Sequence, residues 1–157
     1  MTGERLKPPA EPPGINDQRT IAFSPDGRYL LATVYDGTAW LWNLADGGPA
    51  HILCGHVGCT SAGAFSPDSS KLATGDAEGN IRIWDTDTGR AVRQFKAVRN
   101  LGVDLGLALE EIPGLPLETV CFTPDGAAVV TAHEGGVVAA WDTATGDRLA
   151  TVQEHQG

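Results

Sequence analysis

Phe65-Ser66-Pro67-Asp68-Ser69-Ser70-Lys71-Leu72-Ala73-Thr74-Gly75-Asp76-Ala77-Glu78-Gly79-Asn80-Ile81-Arg82-Ile83-Trp84-Asp85 decides the fold, because the chain states it three times. The first copy runs from Phe23-Ser24-Pro25-Asp26-Gly27 to Trp42-Asn43, and the third from Phe122-Thr123-Pro124-Asp125-Gly126 to Trp141-Asp142. Phe and Trp stand 19 positions apart in every copy. A shared interval between the same end residues is an internal repeat.

Each copy reads as antiparallel strands. Pro-Asp-Gly is turn chemistry: Pro presets φ, Asp bonds back to its own backbone, and Gly accepts positive φ. A short apolar run follows (Tyr29 to Val34, Lys71 to Thr74, Ala128 to Thr131), and then a two-residue hairpin turn at Asp36-Gly37, Glu78-Gly79 or Gly135-Gly136. The next run alternates, with Ile81 and Ile83 on one face and Asn80, Arg82 and Trp84 on the other. A Gly-bearing turn after Trp-Asp or Trp-Asn leads to a last stretch, His51 to Cys54, Ala91 to Phe95 or Arg148 to Val152. With the strand that ends in each Phe, every copy supplies four strands.

These residues resemble the WD-repeat β-propeller family, whose repeat of about 40–45 residues carries a Gly-His and Trp-Asp signature. Phe23 to Phe65 is 42 residues and Phe65 to Phe122 is 57, the excess being one insertion. The resemblance covers residues 19 to 155. It implies an all-β fold of three four-stranded antiparallel propeller blades, incomplete unless closed by self-association or by a longer chain. The expected organisation is a Pro-rich tail, 1–18, followed by a WD-repeat domain, 19–157. Within it lie blade one (19–53), blade two (60–95), an insertion (96–116) and blade three (118–152).

The resemblance also implies structural positions. Phe23, Phe65 and Phe122 end the inner strands. Asp26, Asp68 and Asp125 recur in the first turn, which marks them as turn residues rather than a catalytic set. A buried hydrogen-bonded set is expected from a Gly-His histidine, a hydroxyl ten before the Trp and an acid six before it, whose purpose is to satisfy polar groups inside the blade. Blade two offers His56, Thr74, Glu78 and Trp84, followed by Asp85, with Glu standing where the family has Asp. Blade one has Asp36 and Trp42 but Ala32 at the hydroxyl position. Blade three has Thr131 and Trp141, followed by Asp142, but Gly135 in place of the acid. On this mapping no blade has the whole set. Trp40, two before Trp42, shares its strand face and is expected in inter-blade packing.

His51, Cys54, His56 and Cys59 taken alone have the ligand types and tight spacing of a zinc site. The repeat register argues against it. His56 is the Gly-His residue, and positions 51 and 54 differ by an odd number, so a regular strand turns them to opposite faces. No metal and no cofactor are expected. Neither is an enzyme, since there is no phosphate loop, nucleophile motif or acid/base carboxylate pair outside turns.

The net charge of −9 opposes binding to a phosphate backbone, so nucleic acid is not an expected partner. There is no apolar run near 18 residues and no apolar leader after Met1, so no membrane partner is expected. Three Cys, an odd number, read as reduced thiols, and the cytoplasm is the expected location. Lys7-Pro8-Pro9-Ala10-Glu11-Pro12-Pro13-Gly14 reads as an extended spacer. The expected role is a non-catalytic protein-interaction scaffold. The alternative is a sensing or substrate-recruiting propeller module of a larger protein, such as a kinase or protease. The insertion carries alternating Leu101, Val103, Leu105, Leu107 and Leu109. Leu101, Leu105 and Leu109 are therefore the candidate partner contact, the alternative being that the insertion folds down over its own blades, since apolar loop side chains need burial somewhere. Three blades leave two open faces, and two copies arranged head to tail would make six blades, a closing number.

Overall fold

The computed structural model describes residues 18–45, 47, 51–97, 117–134 and 136–153. Twelve strands follow one another in three groups. The first comprises β1 (Gln18–Phe23), β2 (Tyr29–Val34), β3 (Ala39–Asn43) and β4 (His51–Leu53). The second comprises β5 (Thr60–Phe65), β6 (Lys71–Asp76), β7 (Asn80–Asp85) and β8 (Ala91–Lys96). The third comprises β9 (Leu117–Phe122), β10 (Ala128–His133), β11 (Val137–Asp142) and β12 (Arg148–Gln153). Each group is one antiparallel sheet in sequential order, a four-stranded blade. Among the described residues the fold is all-β, with three propeller blades and no closed ring.

The turn chemistry produces the same first hairpin in each blade. Ser24 Oγ donates to Asp26 at 2.6 Å, and Asp26 accepts the Arg28 N–H at 3.0 Å. Ser66 with Asp68 and Thr123 with Asp125 repeat this at 2.6 Å. Those bonds hold the turn carboxylates below their ordinary range, Asp68 at about 2, chiefly through the hydroxyl of Ser66. Gly27 (φ 72) and Gly126 (φ 71) close two of the turns; at the same position blade two has Ser69, with φ 63.

The blades stack in a constant sense, which the register makes explicit. Phe65 pairs with Leu72, and Leu72 with Trp84, so these three share a face. That face meets Tyr29, Leu31, Leu41 and Leu53 of blade one in one buried cluster. The opposite face of blade two, with Ala73, Ile81 and Ile83, meets Val129, Ala139 and Trp141 of blade three. In blades two and three the Trp-bearing face therefore packs on the other face of the blade before it. Burial of such faces, at about 25 cal/mol per Å² of apolar surface, is the main force holding the stack together.

The inner strands β1, β5 and β9 run side by side, joined by a relay of hydroxyls. Thr20 Oγ1 donates to the Ser61 carbonyl at 3.2 Å, and Ser61 Oγ donates to the Leu117 carbonyl at 2.6 Å. The approach between blades is close: a Cβ at Gly63 would stand 2.5 Å from the Leu31 side chain, and one at Gly75 of β6 2.6 Å from that of Leu117.

Candidate functional site

Blade two contains a complete buried polar set, assembled from two strands, β6 and β7, and the β4–β5 connection. Trp84 Nε1–H donates to Thr74 Oγ1 at 2.8 Å. Thr74 Oγ1 lies 2.7 Å from His56 Nε2, and His56 Nδ1 lies 3.1 Å from Asp76. The side chains of His56 and Asp76 are fully buried. One tautomer satisfies every group: the Thr74 O–H donates to Nε2, and Nδ1–H donates to the carboxylate. Asp76 also accepts from Asn80 Nδ2 at 2.8 Å and from the Glu78 and Asn80 N–H groups at 3.0 and 2.9 Å. Burial works to raise its pKa, but the bonds from His56 and Asn80 prevail and hold it at about 2.

This corrects the sequence expectation in one respect. The acid is Asp76, eight before the Trp, and not Glu78, six before it. Asp76 is the last residue of β6 and shares the face of Thr74, two positions earlier. Glu78 lies in the following turn and is exposed. Blade two therefore has the whole set.

Blade three builds a shorter version. Trp141 Nε1–H donates to Thr131 Oγ1 at 3.0 Å, and His133 Nε2 lies 2.9 Å from the same hydroxyl. His133 stands eight before its Trp, the position of Asp76, and is buried. Sequence reasoning missed it; the signal was its even spacing from Thr131 on one strand.

Blade one has none of this. Ala32 and Val34 hold the equivalent positions, and Trp42 Nε1 is buried with no hydrogen-bond partner among the described residues. Trp42 is stacked by Trp40, ring centroids 5.9 Å apart. Asp36, aligned with the expected acid, instead ties its own turn by accepting from Thr38 N–H and Oγ1 at 2.9 and 2.7 Å.

Two rims flank the blades. One carries the first hairpin turns and the Asp85 and Asp142 turns, where Tyr29 O–H donates to Asp87. Burial, then the Asp87 bond, pushes the Tyr29 phenol up to about 12. The other rim carries the β2–β3, β6–β7 and β10–β11 turns and the connections between blades. Its pieces are tied together: Ala77 N–H donates to the Cys59 carbonyl at 3.0 Å, and Gly37 leaves room for the Gly58 carbonyl, 2.8 Å from where a Cβ would stand. Tyr35 and Val57 are exposed on this rim, at 54% and 78%, with Asp36 next to Tyr35 in the chain and Glu78 near the Gly58 that follows Val57. Arg19 covers Tyr35 at 5.2 Å from the ring centroid.

Cys54 is exposed, His51 lies under Gly89, and His56 is turned into the blade toward Asp76 and Thr74. Among the described residues no three His, Cys, Asp or Glu side chains are placed to hold a metal. Leu101, Leu105 and Leu109 lie outside the described residues.

The WD domain, G-beta repeat family model matches residues 14–43 and 47–85. Human apoptotic protease-activating factor 1 is 34% identical over 129 residues, covering 82% of this chain and 10% of that protein. Eukaryotic translation initiation factor 3 subunit I of Aspergillus terreus is 26% identical over 175 residues, covering 87% of this chain and 52% of that protein. The chain thus spans about a tenth of the first of these relatives and half of the second. The solved structure of U3-55K superposes with a TM-score of 0.72 at 18% identity, covering 89% of this chain and 40% of that one. At that identity the likeness speaks for the fold.

Proposed function

The chain belongs to the WD-repeat family, and from that premise we propose that it is a non-catalytic protein-interaction scaffold whose partner docks on the rim bearing Tyr35 and Val57. The observation that carries this is a pair of exposed apolar side chains held on a rim whose turns are fixed by backbone bonds between connections. Exposed aromatic and aliphatic anchors on rigid supports give affinity at small entropic cost. WD repeats in general imply protein binding, which agrees with this reading. The acidic neighbours Asp36 and Glu78 favour a basic partner surface and raise its association rate. The cytoplasm is the proposed location, supported by three free thiols.

The test is affinity capture with the purified chain, repeated with the double variant Tyr35→Ser, Val57→Ser and with Asp147→Lys on the opposite rim. A specific protein lost with the first variant and kept with the second supports the proposal. Equal capture by all three forms rejects this rim.

The relatives' lengths favour a second reading, in which the blades are the sensing or recruiting module of a larger protein. Sequencing the transcript around this reading frame decides it. Further blades or a catalytic domain in frame would establish the module, and a transcript ending with these blades would remove it.

A further inference from the structure

On its Trp-bearing face, blade one has the three register positions that hold the polar set of blade two, and all three are apolar. Trp42, Ala32 and Val34 stand where blade two has Trp84, Thr74 and Asp76. They are 4%, 3% and 5% exposed, yet they belong to neither of the clusters that join the blades. The face around them is open. Ile21, Phe23 and Ile52 pair across the same sheet with Ala32, Leu30 and Trp40, and they are 62%, 65% and 52% exposed. A covered centre between exposed edges is the footprint of a single stretch of chain, since a packed sheet would cover the edges too.

Blade two shows which stretch lies there. The chain entering β5 crosses the Trp-bearing face before its strand begins, and His56, four residues before Thr60, sits against Thr74, Asp76 and Trp84. Gln18 pairs with Val34 as Thr60 pairs with Asp76, so the corresponding approach to β1 is Pro13-Gly14-Ile15-Asn16-Asp17. Five extended residues span about 16 Å, more than the two strand spacings of about 5 Å each that separate β1 from β3. The WD-repeat match to this blade also begins at residue 14.

We infer that Pro13, Gly14 and Ile15 cross the Trp-bearing face of blade one and that the Ile15 side chain packs on Trp42, Ala32 and Val34. The chemistry of the two sides agrees. His56 uses Thr74 and Asp76 as partners, and with alanine and valine in those places a buried polar side chain would be left unpaired. Ile15 is the only aliphatic side chain larger than alanine or proline between residues 7 and 17, and Gly14, at the position of His56, leaves it room. An apolar cover also leaves the Trp42 indole N–H without an acceptor, which is its state among the described residues. Blade one thus replaces the polar lock of blade two by an apolar one made from the same stretch of the repeat. This inference does not depend on what the rim binds.

The experiment is a nuclear Overhauser measurement on the full chain, labelled at the isoleucine δ1 methyl groups. Ile15→Val removes one methyl resonance and so assigns it, and Trp42→Phe does the same for the indole. A contact between the Ile15 methyl and the Trp42 ring is expected. The Ile52 methyl and the Trp40 ring, whose residues pair across β3 and β4, give the positive control. If the control contact is seen and the Ile15 contact is not, the inference falls. A contact from Ile112 to Trp42 overturns it as well, by giving the face to the insertion. Ile15→Asp in protein carrying 5-fluorotryptophan then tests the packing from the other side. The Trp40 and Trp42 fluorine resonances are expected to shift while those of Trp84 and Trp141 stay, because the latter two lie in other blades. Four unmoved resonances overturn the inference. Loss of all four native positions would mean that the variant has not folded, and the methyl contact in the wild-type chain then decides alone.

Discussion

Trp42 and Trp84 hold the same register position in blades one and two, yet their indole N–H groups meet opposite fates. Trp84 donates to Thr74, and through Thr74 it joins His56 and Asp76. Trp42 is as deeply buried but has Ala32 and Val34 where those partners would stand. An indole N–H buried without an acceptor forfeits about 1–3 kcal/mol. The blades therefore share a backbone plan and apolar packing but differ in polar satisfaction. Strand order and core formation do not need the polar set, and the set is an added lock between the β4–β5 connection and the middle of the sheet.

The largest expected effect comes from removing that lock. Asp76→Ala leaves His56 Nδ1, Asn80 and two turn N–H groups without their common acceptor, and stranding buried donors of this kind costs about 1–3 kcal/mol for each. Urea unfolding monitored by tryptophan fluorescence measures it; a loss below about 1 kcal/mol would show that the set is ornamental to stability. The same group sets an acid limb. Asp76 in the folded chain titrates at about 2 against an ordinary 3.8, so its stabilisation is complete above pH 3.8 and is lost as pH falls toward 2. Asp76→Ala is expected to flatten the stability–pH curve in that window, relative to wild type.

The next effect is a difference between two matched substitutions. Trp84→Phe and Trp42→Phe remove similar volume, but only the first breaks a hydrogen bond and strands the Thr74 hydroxyl. Trp84→Phe is expected to destabilise by about 1–2 kcal/mol more than Trp42→Phe. Equal losses would mean that Trp42 has an acceptor after all. Ala32→Thr runs the comparison in reverse by placing a hydroxyl ten before Trp42, as Thr74 stands ten before Trp84. A β-branched residue suits a strand, and the new bond is expected to raise the urea midpoint by the equivalent of about 1 kcal/mol. A lower midpoint would show that alanine at 32 is required by packing against Trp40.

The sequence made the repeat, the strands and the Trp and Thr positions legible, because these follow from spacing and from alternation along single strands. The three Phe residues were equally visible, but their burial was not. Phe65 and Phe122 are covered by a neighbouring blade while Phe23 is not, and neighbours are a property of the stack. Asp76 and His133 were misread or missed for a local reason. Both continue the face of a Thr two residues earlier, so strand parity pointed to them, but the resemblance placed the acid in the turn at Glu78. Tyr35 and Val57 gave no sequence signal. Their interest arises only because the turns beside them are tied into one rim.

The smallest expected effect concerns the first hairpin turn, where blade two departs from blades one and three. Ser69 adopts φ 63 where Gly27 and Gly126 stand in the other copies, and a side chain in that region costs roughly 1 kcal/mol. Its hydroxyl offsets the strain by accepting the Asp26 N–H of blade one at 3.1 Å, a bond between blades that glycine would lose. Ser69→Ala keeps the strain and removes the bond, and is expected to destabilise by about 1 kcal/mol. Ser69→Gly removes both, so the two changes nearly cancel and the midpoint stays within about 0.5 kcal/mol of wild type. Thermal unfolding of the two variants side by side separates the terms. If glycine proved as costly as alanine, the positive φ would carry no strain, and serine would stand here for the inter-blade bond alone.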